Sequence, residues 1–324
     1  FRVAVKTANG LIEPPEMVYT AKEPFSYIAR REDMMATDGP LFGPSGNSPL
    51  FYEEGHNSSE QMPGWLQEKG LTAYEYSLTH GVRIKKTTAE RIGDAAKEAG
   101  IFVSVHAPYY INLATDDDEA MEKSVRHLER ATEAAGWLGA RRVVFHPGSA
   151  KGTDRDTALE YIRNGLRIVK KRCQKWLDRG IKICPETMGK KNQMGTVDEI
   201  LKLCAGHDWL IPTFDFGHIH ARRGGGLNSA ADFEAIFNAI EDALGRERAS
   251  CIHCHFSRIE YGQSGERKHM NFEDKDYGPD FSHLAEVIAK RDYAPVLICE
   301  SRGMQVQDAM EMKETYEKMK GNGQ

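Results

Sequence analysis

The chain has 324 residues, 40% of them hydrophobic and 28% charged, with a formal net charge of -5 at neutral pH. That balance excludes a disordered or fibrous chain and leaves enough apolar material for one large core or two modest ones. No apolar run approaches a membrane span and no secretory pattern opens the chain, so a reducing cytoplasm and a monomer are expected.

Residues 1–40, beginning FRVAVKTANG, carry short alternating runs broken by Pro and Gly. They read as a small β-rich extension or strap, and no chemistry is assigned to them. Over residues 41–324 two textures alternate, short Val/Ile/Phe runs and longer segments with helical spacing. The strand candidates are LFGPSG near 41, AYEYSL near 73, IFVSVHAP near 101, RRVVFHPG near 141, IKICPET near 181, IPTFDFG near 211, CIHCHFS near 251 and APVLICE near 294. Helices are predicted over 87–100, 157–180 and 231–245 among others, several closing on a glycine such as Gly70, Gly100, Gly139, Gly180 or Gly245. Cys184, Cys251, Cys254 and Cys299 fall in strand-like runs, where thiols serve as small buried hydrophobes. Eight consecutive β-then-α units predict an α/β fold, a (β/α)8 barrel with a catalytic domain over 41–324; an open doubly wound sheet more often has fewer units.

A barrel of this kind carries its chemistry at the C-terminal ends of its strands. Strand three ends in His106, strand four in His146 and strand five in Glu186. Strand six ends in Asp215 with His218 just beyond, strand seven holds His253 and His255 on one face, and strand eight ends in Glu300. Imidazoles and carboxylates converging on one rim repel or stay unpaired unless a cation neutralises them. With no thiolate among them, they suit Zn²⁺, Mn²⁺ or Fe²⁺. There are more candidates than one ion needs, so two or three ions around a bridging carboxylate are expected. Such sites suit in-line displacement at phosphorus.

Taken together, SVHAPYYINLA, VVFHPGS, PETMGKKNQMGT, FDFGHIHA and ICES resemble the endonuclease IV family of apurinic/apyrimidinic endonucleases, in order across roughly residues 100 to 305. The resemblance implies a (β/α)8 barrel with a trinuclear zinc site that cuts damaged double-stranded DNA on the 5′ side of an abasic site. It implies that His106 and His146 hold a first ion with Glu186, the residue placed at the centre of catalysis. Glu186 would bridge to a second ion held by Asp215, His253 and Glu300, and His218 and His269 would belong to a third. Tyr109 matches a family tyrosine that enters the DNA at the lesion, with Tyr110 beside it; packing at the barrel mouth is the plainer reading of both. Basic residues follow strands five to seven as phosphate contacts: Lys190, Lys191, Arg222, Arg223, Arg258, Arg267 and Lys268.

Two departures from the family pattern stand out. The third-ion ligands usually read Asp-x-His, whereas here Glu266 lies three residues before His269 and Arg267 two before. Either Glu266 takes over on a shifted loop or the third site is weakened. Strand seven reads His253-Cys254-His255, so His255 is an extra ligand or a hydrogen-bonding neighbour, and His253 is taken as the ligand. A sugar isomerase or epimerase with one or two ions held by Glu186, Asp215, a strand-seven histidine and Glu300 is the alternative activity, and a non-catalytic module with a decayed site is a third reading.

Overall fold

The computed structural model describes residues 39–321. The extension expected over 1–40 lies, but for its last two residues, outside the described residues. Eight parallel strands close into a barrel. In chain order these begin with β1 (Leu41–Pro44), β2 (Ala73–Ser77), β3 (Phe102–His106), β4 (Arg142–Phe145), β5 (Lys182–Pro185), β6 (Thr213–Asp215) and β7 (His253–Phe256). An antiparallel hairpin, β8 (Arg258–Gly262) and β9 (Gly265–Met270), precedes the last barrel strand, β10 (Val296–Cys299). Continuous ladders join β2 through β5 and β6–β7–β10–β1, and single parallel bridges at Ser45–Glu75 and Glu186–Thr213 close the ring. At the β1–β2 seam the backbones come so close that a Cβ on Gly43 would lie 1.7 Å from the Ala73 carbonyl oxygen, a place only glycine can fill.

The helices form where periodicity predicts them, at Lys86–Glu98, Arg155–Leu177 and Ala230–Leu244 for the three singled out. Asp154 caps the second of these by accepting from the Asp156 and Thr157 amides, and the chain leaves it at Gly180, φ 89°. Its buried face, Leu159, Ile162, Leu166, Val169, Cys173 and Trp176, follows a 3.6-residue period. Each such fully buried aliphatic contributes about 1.5–3 kcal/mol. Cys184, Cys254 and Cys299 are buried on strands as expected, while Cys251 is half-buried just before β7. No helix among the described residues is long and apolar enough to cross a membrane.

Inside the ring, Leu41, Ala73, Phe102, Val296 and Ile298 make an apolar floor near the N-terminal ends of the strands. Buried polar side chains, among them Glu75, Ser104, Arg142 and His253, also fill the ring. The β8–β9 hairpin was not anticipated, because its charged GERKHM strand has no apolar alternation to reveal it.

Candidate metal centre

At the C-terminal rim the strand ends converge on Glu186. Its Oε2 lies 3.3 Å from His106 Nε2 and 3.2 Å from His146 Nε2, and its Oε1 lies 3.2 Å from His255 Nδ1 and 3.5 Å from His218 Nδ1. Three groups of donor atoms result, each within 4.8 Å: His106–His146–Glu186, Glu186–Asp215–His255–Glu300 and Asp215–His218–His269. Glu186 belongs to the first two and Asp215 to the last two. The side-chain oxygen Asp215 Oδ2 is buried without a hydrogen-bond partner, as a group reserved for a cation would be.

Contacts on the far side of each imidazole orient it. His106 Nδ1 donates to the Ala107 carbonyl at 2.8 Å and His218 Nδ1 to the Thr187 carbonyl at 2.9 Å, since a carbonyl only accepts. His106 Nε2 is thereby turned to Glu186, and His218 Nε2 to Glu266, while His218 Nδ1 also lies 3.3 Å from Asp215 Oδ2. Electrostatics match. Burial alone would lower His106, but the hydrogen bond and charge of Glu186 lift it to about 9. Burial likewise opposes the charged form of Glu186, yet His255 and His146 hold its carboxyl well below the usual range. Asp215 goes the other way: burial pushes its carboxyl up, and the opposing pull of His218 does not overcome it. Nitrogen and oxygen donors with no sulfur, their lone pairs turned inward, fit Zn²⁺, Mn²⁺ or Fe²⁺.

The hairpin completes the third group in an unexpected way. Pairing runs Ile259–His269 and Glu260–Lys268, then slips to Tyr261–Glu266, so Arg267 is one residue too many. Such a bulge resets the alternation of side chains. Arg267 and Lys268 now both lie toward Glu260, at 3.3 and 3.5 Å, while Glu266 and His269 share the inner face. Glu266 Oε2 reaches 3.4 Å from His218 Nε2, and the His269 ring stands 5.2 Å from the His218 ring. Gly189 makes room: a Cβ there would sit 2.6 Å from the Glu266 Cβ and 3.0 Å from the His218 ring. Glu266 thus stands beside His218 and His269, as the shifted-loop alternative requires. Ser257 Oγ bonds His269 Nδ1 at 2.7 Å.

On β7 the two histidines stand at different heights. Both are buried and point into the barrel, but two residues along a strand are about 6.6 Å of rise. His255 is level with Asp215 in the ladder and joins Glu186, Asp215 and Glu300. His253 is level with Thr213, one layer down, and its Nε2 bonds Glu75 Oε2 at 3.0 Å. Burial drives its pKa down to about 4. Glu75, absent from the sequence reading, is fully buried in the middle of β2.

The loops divide into exposed and committed residues. Tyr109 and Tyr110 are 56% and 43% exposed, unusual for rings of that size, and stand edge-on to each other. Arg222 does not face solvent as a phosphate contact should: its guanidinium donates to the carbonyls of Met188, Lys190, Lys191 and Gln193. Arg258 is likewise committed, to the Tyr277 carbonyl and to Asp280. Arg223, Lys190, Lys191, Arg267 and Lys268 are exposed.

Residues 64–321 match the family model of the xylose isomerase-like TIM barrel. The chain belongs to that family. Its relatives in this family include an uncharacterized protein of Methanocaldococcus jannaschii, 30% identical over 76% of this chain and 88% of the relative. A probable endonuclease 4 of Staphylococcus carnosus is 29% identical over 65% of this chain and 74% of its own length. One of Acholeplasma laidlawii is 33% identical over 53% of this chain, which spans only 59% of that protein. Among solved structures, endonuclease IV from Thermus thermophilus superposes with a TM-score of 0.65 at 19% identity, covering 87% of this chain and 100% of that one. A D-tagatose 3-epimerase-like protein superposes with a TM-score of 0.62, also at 19% identity, over 87% and 99%. At these identities the likeness of the solved structures is one of fold. The chain is an enzyme of this barrel superfamily, with carboxylate–histidine clusters able to hold metal.

Proposed function

We propose that the chain is a metal-dependent phosphodiesterase that cuts duplex DNA on the 5′ side of abasic sites. One observation carries this reading: three ligand groups adjoin and share two carboxylates, Glu186 and Asp215. An epimerase needs only the middle group, Glu186–Asp215–His255–Glu300, and would leave His106, His146, His218 and His269 without a task. The relatives named probable endonuclease 4 support the same choice.

In this reading His106, His146 and Glu186 hold one ion, Glu186, Asp215, His255 and Glu300 a second, and Asp215, His218, His269 and Glu266 a third. Zn²⁺ ions, when bound, supply a hydroxide at neutral pH and spread the charge that builds on the displaced oxygen. The chain's part is to hold those ions at fixed spacing through its two shared carboxylates, in a largely buried rim. Tyr109 and Tyr110 offer exposed rings against which unstacked bases at a lesion can pack. Arg223, Lys190 and Lys191, exposed after β5 and β6, would meet phosphates.

The test is incision of a duplex carrying one tetrahydrofuran abasic analogue by purified, Zn²⁺-loaded protein. A single cut on the 5′ side leaving a 3′-hydroxyl is expected, with two or three ions per chain and full loss on chelation. Absence of incision, together with interconversion of ketoses, would transfer the site to the epimerases.

A further inference from the structure

Beneath the metal centre lies a buried polar chain that none of the three ligand groups uses on its own. Arg142 stacks on Phe102, 5.4 Å from the ring centre, and its Nη2 donates to the Cys251 carbonyl at 2.7 Å. Its Nη1 stands 3.4 Å from His253 Nδ1. A guanidinium only donates, so His253 Nδ1 accepts and its proton sits on Nε2, which donates to Glu75 Oε2 at 3.0 Å. Ser104 Oγ donates to the same oxygen at 2.8 Å. That saturates Oε2.

The other oxygen, Glu75 Oε1, is buried with no hydrogen-bond partner, and so is His255 Nε2. These two face each other at 3.0 Å, out of line for a full hydrogen bond but with nothing else in reach. The opposite nitrogen, His255 Nδ1, is the one turned toward Glu186 and Glu300, at 3.2 and 3.5 Å. His106 and His218 have a backbone carbonyl behind them; His255 has a full carboxylate.

We propose that Glu75 is the positioning residue for His255: it holds the imidazole in the Nε2–H tautomer, so that the Nδ1 lone pair points at the shared carboxylates as a metal ligand. The proposal rests on the reading of His255 as a ligand given above. Glu75, His253 and His255 also lie close enough together to bind an ion themselves. Glu75 Oε2 is already taken by His253 and Ser104, and His253 Nδ1 by Arg142, which leaves Oε1 for His255 rather than a ligand set for an ion, so positioning is the assignment these contacts favour.

Glu75→Gln keeps the shape and reverses one polarity. Its carbonyl goes to the two fixed donors, Ser104 and His253, which leaves its amide N–H₂ facing His255. The imidazole must then accept at Nε2 and carry its proton on Nδ1, where it cannot ligate. Competition of Zn²⁺ against a chromophoric chelator should show one ion bound about 10–100-fold more weakly and the others unchanged. In Co²⁺-substituted protein the visible absorption should change for one ion alone. Wild-type affinity throughout in folded Glu75→Gln would overturn the proposal, as would an ion that survives Glu186→Gln but disappears with Glu75→Gln. A second measurement needs no variant at Glu75: with ¹⁵N-histidine labelling of the Zn²⁺-loaded wild type, the His255 resonance, found by its absence in His255→Gln, should show the proton on Nε2. A proton on Nδ1 overturns the proposal. If the wild type binds no Zn²⁺, the metal-centre reading fails; if it binds the ions but carries the His255 proton on Nδ1, this proposal alone fails.

Discussion

In the proposed reading, the ligands on one side of the barrel mouth stand on or directly behind the strands, at His106, His146, Glu186, Asp215, His255 and Glu300; on the other they hang from a hairpin, at Glu266 and His269. The strand side is built by the ladder itself, so the height of each candidate ligand is fixed by register, with the Ala107 carbonyl behind His106 and Glu75 behind His255. The hairpin side depends on one extra residue, Arg267, and on two glycines that let the loops touch: Gly189, and Gly265 in bridge contact with Lys190. Ligands on barrel strands should therefore be indispensable, and those on the hairpin should tune.

The largest effect is expected at the carboxylate both halves share. Glu186→Gln keeps volume but removes the charge that joins two ligand groups, so incision should fall by about 10³-fold or more. Retained incision in a variant that still loses activity to chelator would remove Glu186 from the bridge. Glu266→Gln should act on the third group alone, releasing one ion and slowing incision about 10–100-fold. Deleting Arg267 sharpens the point. It straightens the hairpin and leaves Glu266 two residues before His269, again on one face, so ion stoichiometry should hold. If the deletion releases an ion as Glu266→Gln does, the bulge is not what places Glu266.

The same division explains what the sequence disclosed. Strand ends were legible because an apolar run that stops on His, Asp or Glu is a local signal, and eight runs in order define the barrel. The hairpin was opaque because GERKHM has charge where a strand needs alternation, and the slip at Arg267 breaks the two-residue period that would have paired Glu266 with His269. His253 and His255 share a face, so period alone could not rank them; only the ladder shows that His255 is level with Asp215. Glu75 lies in mid-strand, away from the strand ends where such a barrel carries its chemistry. The available signal was its place on the same face as Ala73, an acid directed into a barrel interior in mid-strand. Arg222 and Arg258 looked like phosphate contacts because a basic residue in a loop says nothing of which carbonyls surround it.

The loop after β5, which carries Thr187 and Gly189, is held from beneath by Glu199. That carboxylate accepts from Arg155 at 2.6 and 2.8 Å and from the Gly195 and Thr196 amides at 2.8 and 2.9 Å. Burial opposes its charge, but Arg155 and the two amides outweigh burial and bring it down to about 2 from 4.5. A lowered carboxylate stabilises the fold above its ordinary value, and that contribution fades as pH falls toward the folded value. Glu199→Gln should cost on the order of 2 kcal/mol at pH 7. On chelator-treated protein, the gap in unfolding free energy between wild type and variant should close between about pH 5 and pH 2. A gap that persists at pH 2 would mean that packing, not charge, holds the loop.

The smallest effects separate two adjacent arginines. Arg222 spends its donors on four carbonyls of the loop after β5, so Arg222→Ala should lower stability by about 1–2 kcal/mol and leave the salt dependence of DNA binding unchanged. Arg223 is exposed one residue later. Arg223→Ala should spare stability, weaken duplex binding by about 3–10-fold, and reduce the slope of log affinity against log salt by about one. Thermal melts and binding titrations at several salt concentrations measure both. If Arg222→Ala flattens the salt slope while Arg223→Ala does not, the phosphate path runs over the loop that Arg222 braces, and the face assigned to DNA must be redrawn.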